Sequence, residues 1–171
     1  HCYPMASITP ARISEALSSG ALRAEYQAIR DINTGKLICV ELLARWSEGD
    51  KSISPSEFLP IAIAHVTDSG DPLMDIITLQ FLEQARDSLI SFLAKKADGG
   101  TTIDLQYITI NISADQFINE SFMQRVKEII PPELVKYFTL ELLETRSEKV
   151  QAQLEISPIM LNNALEDIIG G

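Results

Sequence analysis

The chain is poor in the residues that build disulfide frameworks and histidine-based metal sites. Two cysteines occur in 171 residues. Cys2 lies in the N-terminal stretch and Cys39 inside an apolar run, which makes no disulfide framework and fits a reducing compartment. The two histidines, His1 and His65, make a poor case for a His-rich metal site. His65 reads as an ordinary residue at a helix end. No uninterrupted apolar run approaches the roughly 18 residues of a membrane span, and no signal-peptide pattern is visible. Basic residues are in deficit: Lys+Arg 14 against Asp+Glu 24 gives a net charge of −10. That balance argues against non-specific binding to a nucleic-acid polymer or to an anionic membrane surface. It leaves room for a small phosphate-containing ligand, because metal ions can supply positive charge locally. No internal repeat, low-complexity segment or linker divides the chain.

What is present suits a globular domain. Hydrophobic content is 46% and charged content 22%, and the length is about one domain's worth. Thr9 and Pro10 predict a short helix over residues 11–17. Residues 22–32 and 37–46 read as strands joined by the turn signal Asn33-Thr-Gly35, an antiparallel hairpin. A polar loop is expected over 47–52. The capping box Ser54-Pro-Ser-Glu57 opens a helix to about Val66. Asp71-Pro72 opens a longer one, whose apolar residues from Leu73 to Phe92 fall at helical spacing. Residues 103–112 read as a strand. Ser113-Ala-Asp-Gln116 and Ser121-Phe-Met-Gln124 look like capping boxes of short helices, and Pro131-Pro132 closes that region. A last strand is expected over 137–143, then a helix over about 146–168 opened by Thr145-Arg-Ser-Glu148. The later alternation of strand and helix favours a parallel α/β arrangement.

The run Leu37-Ile-Cys-Val-Glu-Leu-Leu-Ala-Arg-Trp46 holds a single carboxylate, Glu41. On a strand, Glu41, Leu43 and Arg45 share one face. A buried carboxylate is costly unless it is paired, hydrogen-bonded or bound to metal. Taken alone, the run leaves two readings open, a salt bridge to Arg45 or a functional site. Two later strand-like runs carry a hard oxygen ligand in a similar place, Asn111 and Glu141. In parallel α/β barrels active sites gather at the carboxyl ends of strands. Two carboxylates and an amide oxygen suit Mg²⁺ or Mn²⁺ better than Zn²⁺.

Five segments, in order, carry a resemblance: Ala24-Glu-Tyr-Gln-Ala-Ile29, Val40-Glu-Leu-Leu-Ala-Arg-Trp46, Ser54-Pro-Ser-Glu-Phe-Leu-Pro60, Ile108-Thr-Ile-Asn-Ile-Ser113 and Thr139-Leu-Glu-Leu-Leu-Glu-Thr145. Together the sequence resembles the EAL domain, a bacterial family that hydrolyses cyclic di-GMP to pGpG. The resemblance implies an α/β fold, a modified TIM barrel with an antiparallel first strand. It covers about residues 20–171, with 1–19 as an N-terminal tail and short helix. By position it implies Glu41, Asn111 and Glu141 as metal ligands for Mg²⁺ or Mn²⁺. It implies Glu144 as the glutamate that steadies a loop over the site, with Glu41 and Glu144 as the catalytic pair. Arg45 matches a phosphate-contacting arginine, and Gln27 and Leu43 match positions lining the substrate pocket.

Departures are informative. Leu42 stands for the alanine of the name motif and points away from Glu41, so a packing change is expected, and Ala44 in place of leucine on that face compensates in volume. Ala28 replaces a proline, and Ile63-Ala64 stand where the family usually has two glutamates. The family's Asp-Asp-Phe-Gly segment, its essential lysine and its later ligands have no counterpart before Gly171. The chain is therefore expected to hold about the first half of the barrel, truncated before the second, and to be inactive or nearly so by itself. An open half-barrel would also suit a homo-oligomer, and the resemblance implies flanking signalling domains in a longer protein. The expected location is the cytoplasm, or the cytoplasmic part of a membrane-attached protein. Two alternatives accompany this reading: a degenerate cyclic di-GMP receptor and a protein-interaction module.

Overall fold

The computed structural model describes residues 7–143. The expected helix over 146–168, and Glu144 with it, lie outside them. Along the chain come α1 (Pro10–Ser19), β1 (Leu22–Arg30), β2 (Leu37–Glu48), β3 (Lys51–Ile53), α2 (Pro55–Ala64), α3 (Leu73–Ala97), β4 (Tyr107–Ser113), α4 (Ala114–Ile118), α5 (Glu120–Ile129), a 3₁₀ helix (Pro132–Tyr137) and β5 (Phe138–Leu143). The strands form one mixed sheet of order β1-β2-β4-β5, with β3 paired to β2. Among the described residues this sheet is not closed, and β5 lies at its edge. The described residues fall into two compact units, one of residues 7–25 with Ala44–Thr78, the other of Tyr26–Leu43 with residues 79–143.

In the first unit, Thr9 caps α1 by accepting from the Arg12 amide over 3.1 Å, and Gly20 closes it at φ 83°. Ile13, Ala16 and Leu17 bury the helix's inner face. Arg12 reaches Glu48 Oε2 at 2.7 Å and lies 5.3 Å over the Trp46 ring. Trp46 packs edge-on to Phe58 with centroids 5.3 Å apart, and both are fully buried. Ser54 and Glu57 form the expected capping box on α2. That helix ends at Ala64, two residues before the sequence suggests, with His65 as its C-cap.

The polar loop expected over 47–52 is instead a hairpin. β2 continues to Glu48, and β3 pairs back with Trp46 opposite Ile53 and Glu48 opposite Lys51. Gly49, at φ 59°, takes the first turn position that only glycine adopts without strain. Alternation explains the error. Trp46 and Ile53 are buried while Glu48, Lys51 and Ser52 face water, so the segment looks polar although it is half-buried strand.

In the second unit, β1 ends at Arg30, because Asp31 accepts from the Asn33 and Thr34 amides at 2.8 and 2.9 Å and turns the chain. β2, β4 and β5 run parallel, with Leu42 opposite Ile110 and Ile110 opposite Leu140. Leu42, Ile108, Ile110, Ile112, Phe138 and Leu140 are buried on one sheet face. The strand expected from Ile103 starts only at Tyr107, after a loop in which Lys96 holds Asp104 at 3.0 Å. Ser113 and Gln116 close the expected capping box of α4. The second expected box is a correction: Asn119, not Ser121, caps α5, accepting from the Phe122 amide over 3.1 Å. Asn119 ends α4 and starts α5, which leaves Ser121 inside the first turn. Arg86 on α3 donates to the Ile129 carbonyl at the end of α5 over 3.2 Å.

Candidate metal and substrate site

The face of the second unit opposite the aliphatic one is polar. Parallel register puts Glu41 opposite Thr109, Thr109 opposite Thr139, and Asn111 opposite Glu141. Side chains in register on parallel strands share a face, with strands about 4.8 Å apart. Glu41, Asn111 and Glu141 therefore belong to one face of three adjacent strands. The aliphatic face explains why they stay in place. A slip of one residue would move Ile108, Ile110 and Ile112 out of the core, so hydrophobic burial locks the register.

Asn111 Nδ2 donates to Glu41 Oε1 over 3.2 Å. Both side chains are half-buried, and Glu141 is exposed. The amide gives one of its two N–H donors to Glu41, and among the described residues its Oδ1 accepts no hydrogen bond. Glu41 and Glu141 form no ion pair among those residues. Two carboxylates and a free amide oxygen on one face, with no cationic side chain paired to them among the described residues, fit a hard divalent cation. Among the described residues, no group of three His, Cys, Asp or Glu side chains converges, so the amide is needed to complete the set.

The other expected site residues are distributed as follows. In the first unit, Arg45 pairs across strands with Glu25, Nε to Oε2 3.2 Å, and Arg23 approaches the same oxygen at 3.6 Å. The salt bridge that the run around Glu41 suggested for Arg45 is thus made with Glu25, while Glu41 takes Asn111. Arg45 and Glu25 are 49% and 46% exposed, so the pair is screened and easily exchanged. In the second unit, Gln27 is exposed on β1 and Leu43 is half-buried on β2.

Sequence reasoning missed Thr109. It is 4% exposed, and its hydroxyl makes no hydrogen bond among the described residues. A buried hydroxyl without a partner costs about 1–3 kcal/mol. The alternation in Ile108-Thr-Ile-Asn-Ile-Ser113, which puts Thr109, Asn111 and Ser113 on one face, was the available signal.

The model of the EAL domain family matches residues 11–162. This chain belongs to the EAL domain family. A curated relative, "Probable cyclic di-GMP phosphodiesterase PdeB" of Escherichia coli, is 28% identical over 120 residues, 70% of this chain and 21% of its own length. The solved PaMucR phosphodiesterase, in complex with c-di-GMP, superposes with a TM-score of 0.65 at 25% identity, over 91% of this chain and 59% of that one. The Bacillus subtilis YkuI protein, which has an EAL domain and was solved with c-di-GMP and calcium, gives a TM-score of 0.59 at 22% identity, over 93% of this chain and 37% of that one. The chain thus spans about a fifth of that curated relative and less than two thirds of either solved structure.

Proposed function

We propose that this chain is the N-terminal portion of an EAL phosphodiesterase domain that hydrolyses cyclic di-GMP to pGpG. The observation that carries the reading is the oxygen set on one sheet face, Glu41, Asn111 and Glu141, tied by the Asn111–Glu41 hydrogen bond of 3.2 Å. Family membership and the cyclic di-GMP complexes of two related structures support it.

In this reading Glu41, Asn111 and Glu141 hold Mg²⁺ or Mn²⁺. When bound, the ion supplies Lewis acidity toward the phosphodiester and toward water. The chain's own contribution is orientation. The β2–β4–β5 ladder sets the spacing of the three oxygens, and Asn111 fixes the Glu41 carboxylate through Nδ2. Arg45 contacts a substrate phosphate by exchanging Glu25 for it, a swap of one oxyanion for another that suits a planar guanidinium. Gln27 and Leu43 line the pocket, and Glu144 steadies a loop over the site. Among the described residues no helix is long and apolar enough to cross a membrane, and a cytoplasmic setting beside other signalling domains belongs to the same proposal.

The test is nucleotide chromatography on the longest protein that contains this chain. Formation of pGpG from cyclic di-GMP with Mg²⁺ or Mn²⁺, lost in Glu41→Ala, is the expected result. Cyclic di-GMP binding that ignores metal and survives Glu41→Ala would instead make the protein a receptor.

A further inference from the structure

We propose that Thr109 is a positioning residue for the cation site, its hydroxyl holding the Glu41 carboxylate in the orientation that a divalent cation needs. The inference rests on the reading that Glu41, Asn111 and Glu141 bind such a cation. It is carried by the hydroxyl itself, which is 4% exposed and without a hydrogen-bond partner among the described residues. Its place in the sheet says what it serves. Thr109 stands opposite Glu41 in the β2–β4 register and two residues before Asn111 on the same face of β4.

Glu41 has two carboxylate oxygens, and Asn111 occupies one of them. An ionised carboxylate accepts several hydrogen bonds. A hydroxyl on the neighbouring strand, in register with Glu41, reaches it through one bridging water. Donation from Thr109 fixes the carboxylate from the strand side and leaves its remaining lone pairs for the cation. Carboxylate ligands of metal sites are commonly held in this way by an outer hydrogen bond. The competing account is a hydroxyl simply tolerated in a core. The two accounts predict opposite responses to valine, which matches threonine in shape and lacks only the donor.

The experiment measures Mn²⁺ affinity of the full 171-residue chain by paramagnetic resonance of free Mn²⁺, together with the melting temperature. Thr109→Val, Thr109→Ser, Thr109→Ala and Glu41→Gln are compared with the wild type. The expected result is Mn²⁺ affinity about 10-fold or more weaker in Thr109→Val, the scale of losing a metal ligand's outer partner. Thr109→Ser should bind nearly as the wild type does, and Thr109→Val should melt at or above it. The alanine variant carries the same comparison if valine disturbs the strand. Wild-type affinity in both Thr109→Val and Thr109→Ala, or an equal loss in Thr109→Ser, overturns the assignment. If Glu41→Gln loses Mn²⁺ while the valine and alanine variants do not, only the role of Thr109 falls. If Glu41→Gln binds as the wild type does, the cation reading falls and takes this inference with it.

Discussion

Asn111 on β4 donates its side-chain Nδ2 proton to Oε1 of Glu41 on β2 over 3.2 Å, across 70 residues of chain. The bond makes the amide and the carboxylate one unit. The amide orients the carboxylate and keeps its own oxygen turned elsewhere. Glu41→Ala should therefore cost more than a single ligand. In the longest protein that contains this chain, pGpG formation should fall by more than about 100-fold, beyond the roughly 10–100-fold typical of outer hydrogen-bond partners. Asn111→Leu, which removes both the proposed ligand oxygen and the bond to Glu41, should match it within a few fold. Steady-state kinetics on both variants checks this.

Arg45 shares Glu25 with Arg23 in an exposed cluster. An exposed ion pair is worth little, so Arg45→Ala should change the melting temperature hardly at all. Loss of a charge-assisted contact to phosphate, about 1.5–3 kcal/mol, should weaken cyclic di-GMP binding roughly 10–100-fold. Calorimetry beside a melting curve separates the two effects. Unchanged affinity would remove Arg45 from the substrate site.

The first unit depends on the fully buried Trp46–Phe58 contact. Phe58→Ala should cost about 3–5 kcal/mol by the transfer and cavity terms of a large aromatic, read from urea denaturation. Phe58→Leu should cost much less, since leucine refills most of the space.

Acid should act on this unit through Glu48. The Arg12 guanidinium holds the Glu48 carboxyl below its ordinary range, first by hydrogen bond and then by charge, with a further bond from the Trp46 indole and partial desolvation opposing. A carboxyl whose pKa is lower in the folded state stabilises the fold above its unfolded pKa, near 4.3, and loses that contribution as pH falls through the folded value. The melting-temperature gap between the wild type and Glu48→Gln should therefore be widest above about pH 5 and close toward pH 3. A gap that widens on acidification would contradict the assignment.

Ser113 ends β4 and caps α4 reciprocally with Gln116, at 3.0 and 2.9 Å. Ser113→Ala should cost about 0.5–2 kcal/mol. Because the cap follows Asn111 by two residues, the variant should also loosen Mn²⁺ binding. Thermal unfolding and Mn²⁺ titration together test the link.

The amino-acid sequence determined by itself much of this protein: the capping boxes at Ser54 and Ser113, the β1–β2 hairpin, the strand–helix alternation and the placing of Glu41, Asn111 and Glu141 on strands. These are local signals, set by a few neighbouring residues and a repeat of two or 3.6. Only the tertiary structure decided the rest. Polar residues 47–52 form a hairpin because Trp46 and Ile53 have a core to enter. Arg45 takes Glu25 because the antiparallel partner strand brings that carboxylate within 3.2 Å. Thr109 gains its meaning from register, since nothing in its neighbours along the chain says that Glu41 lies beside it. Pairings across a sheet bring together residues distant in sequence, and the parallel ladder, locked by its aliphatic face, fixes which of them meet.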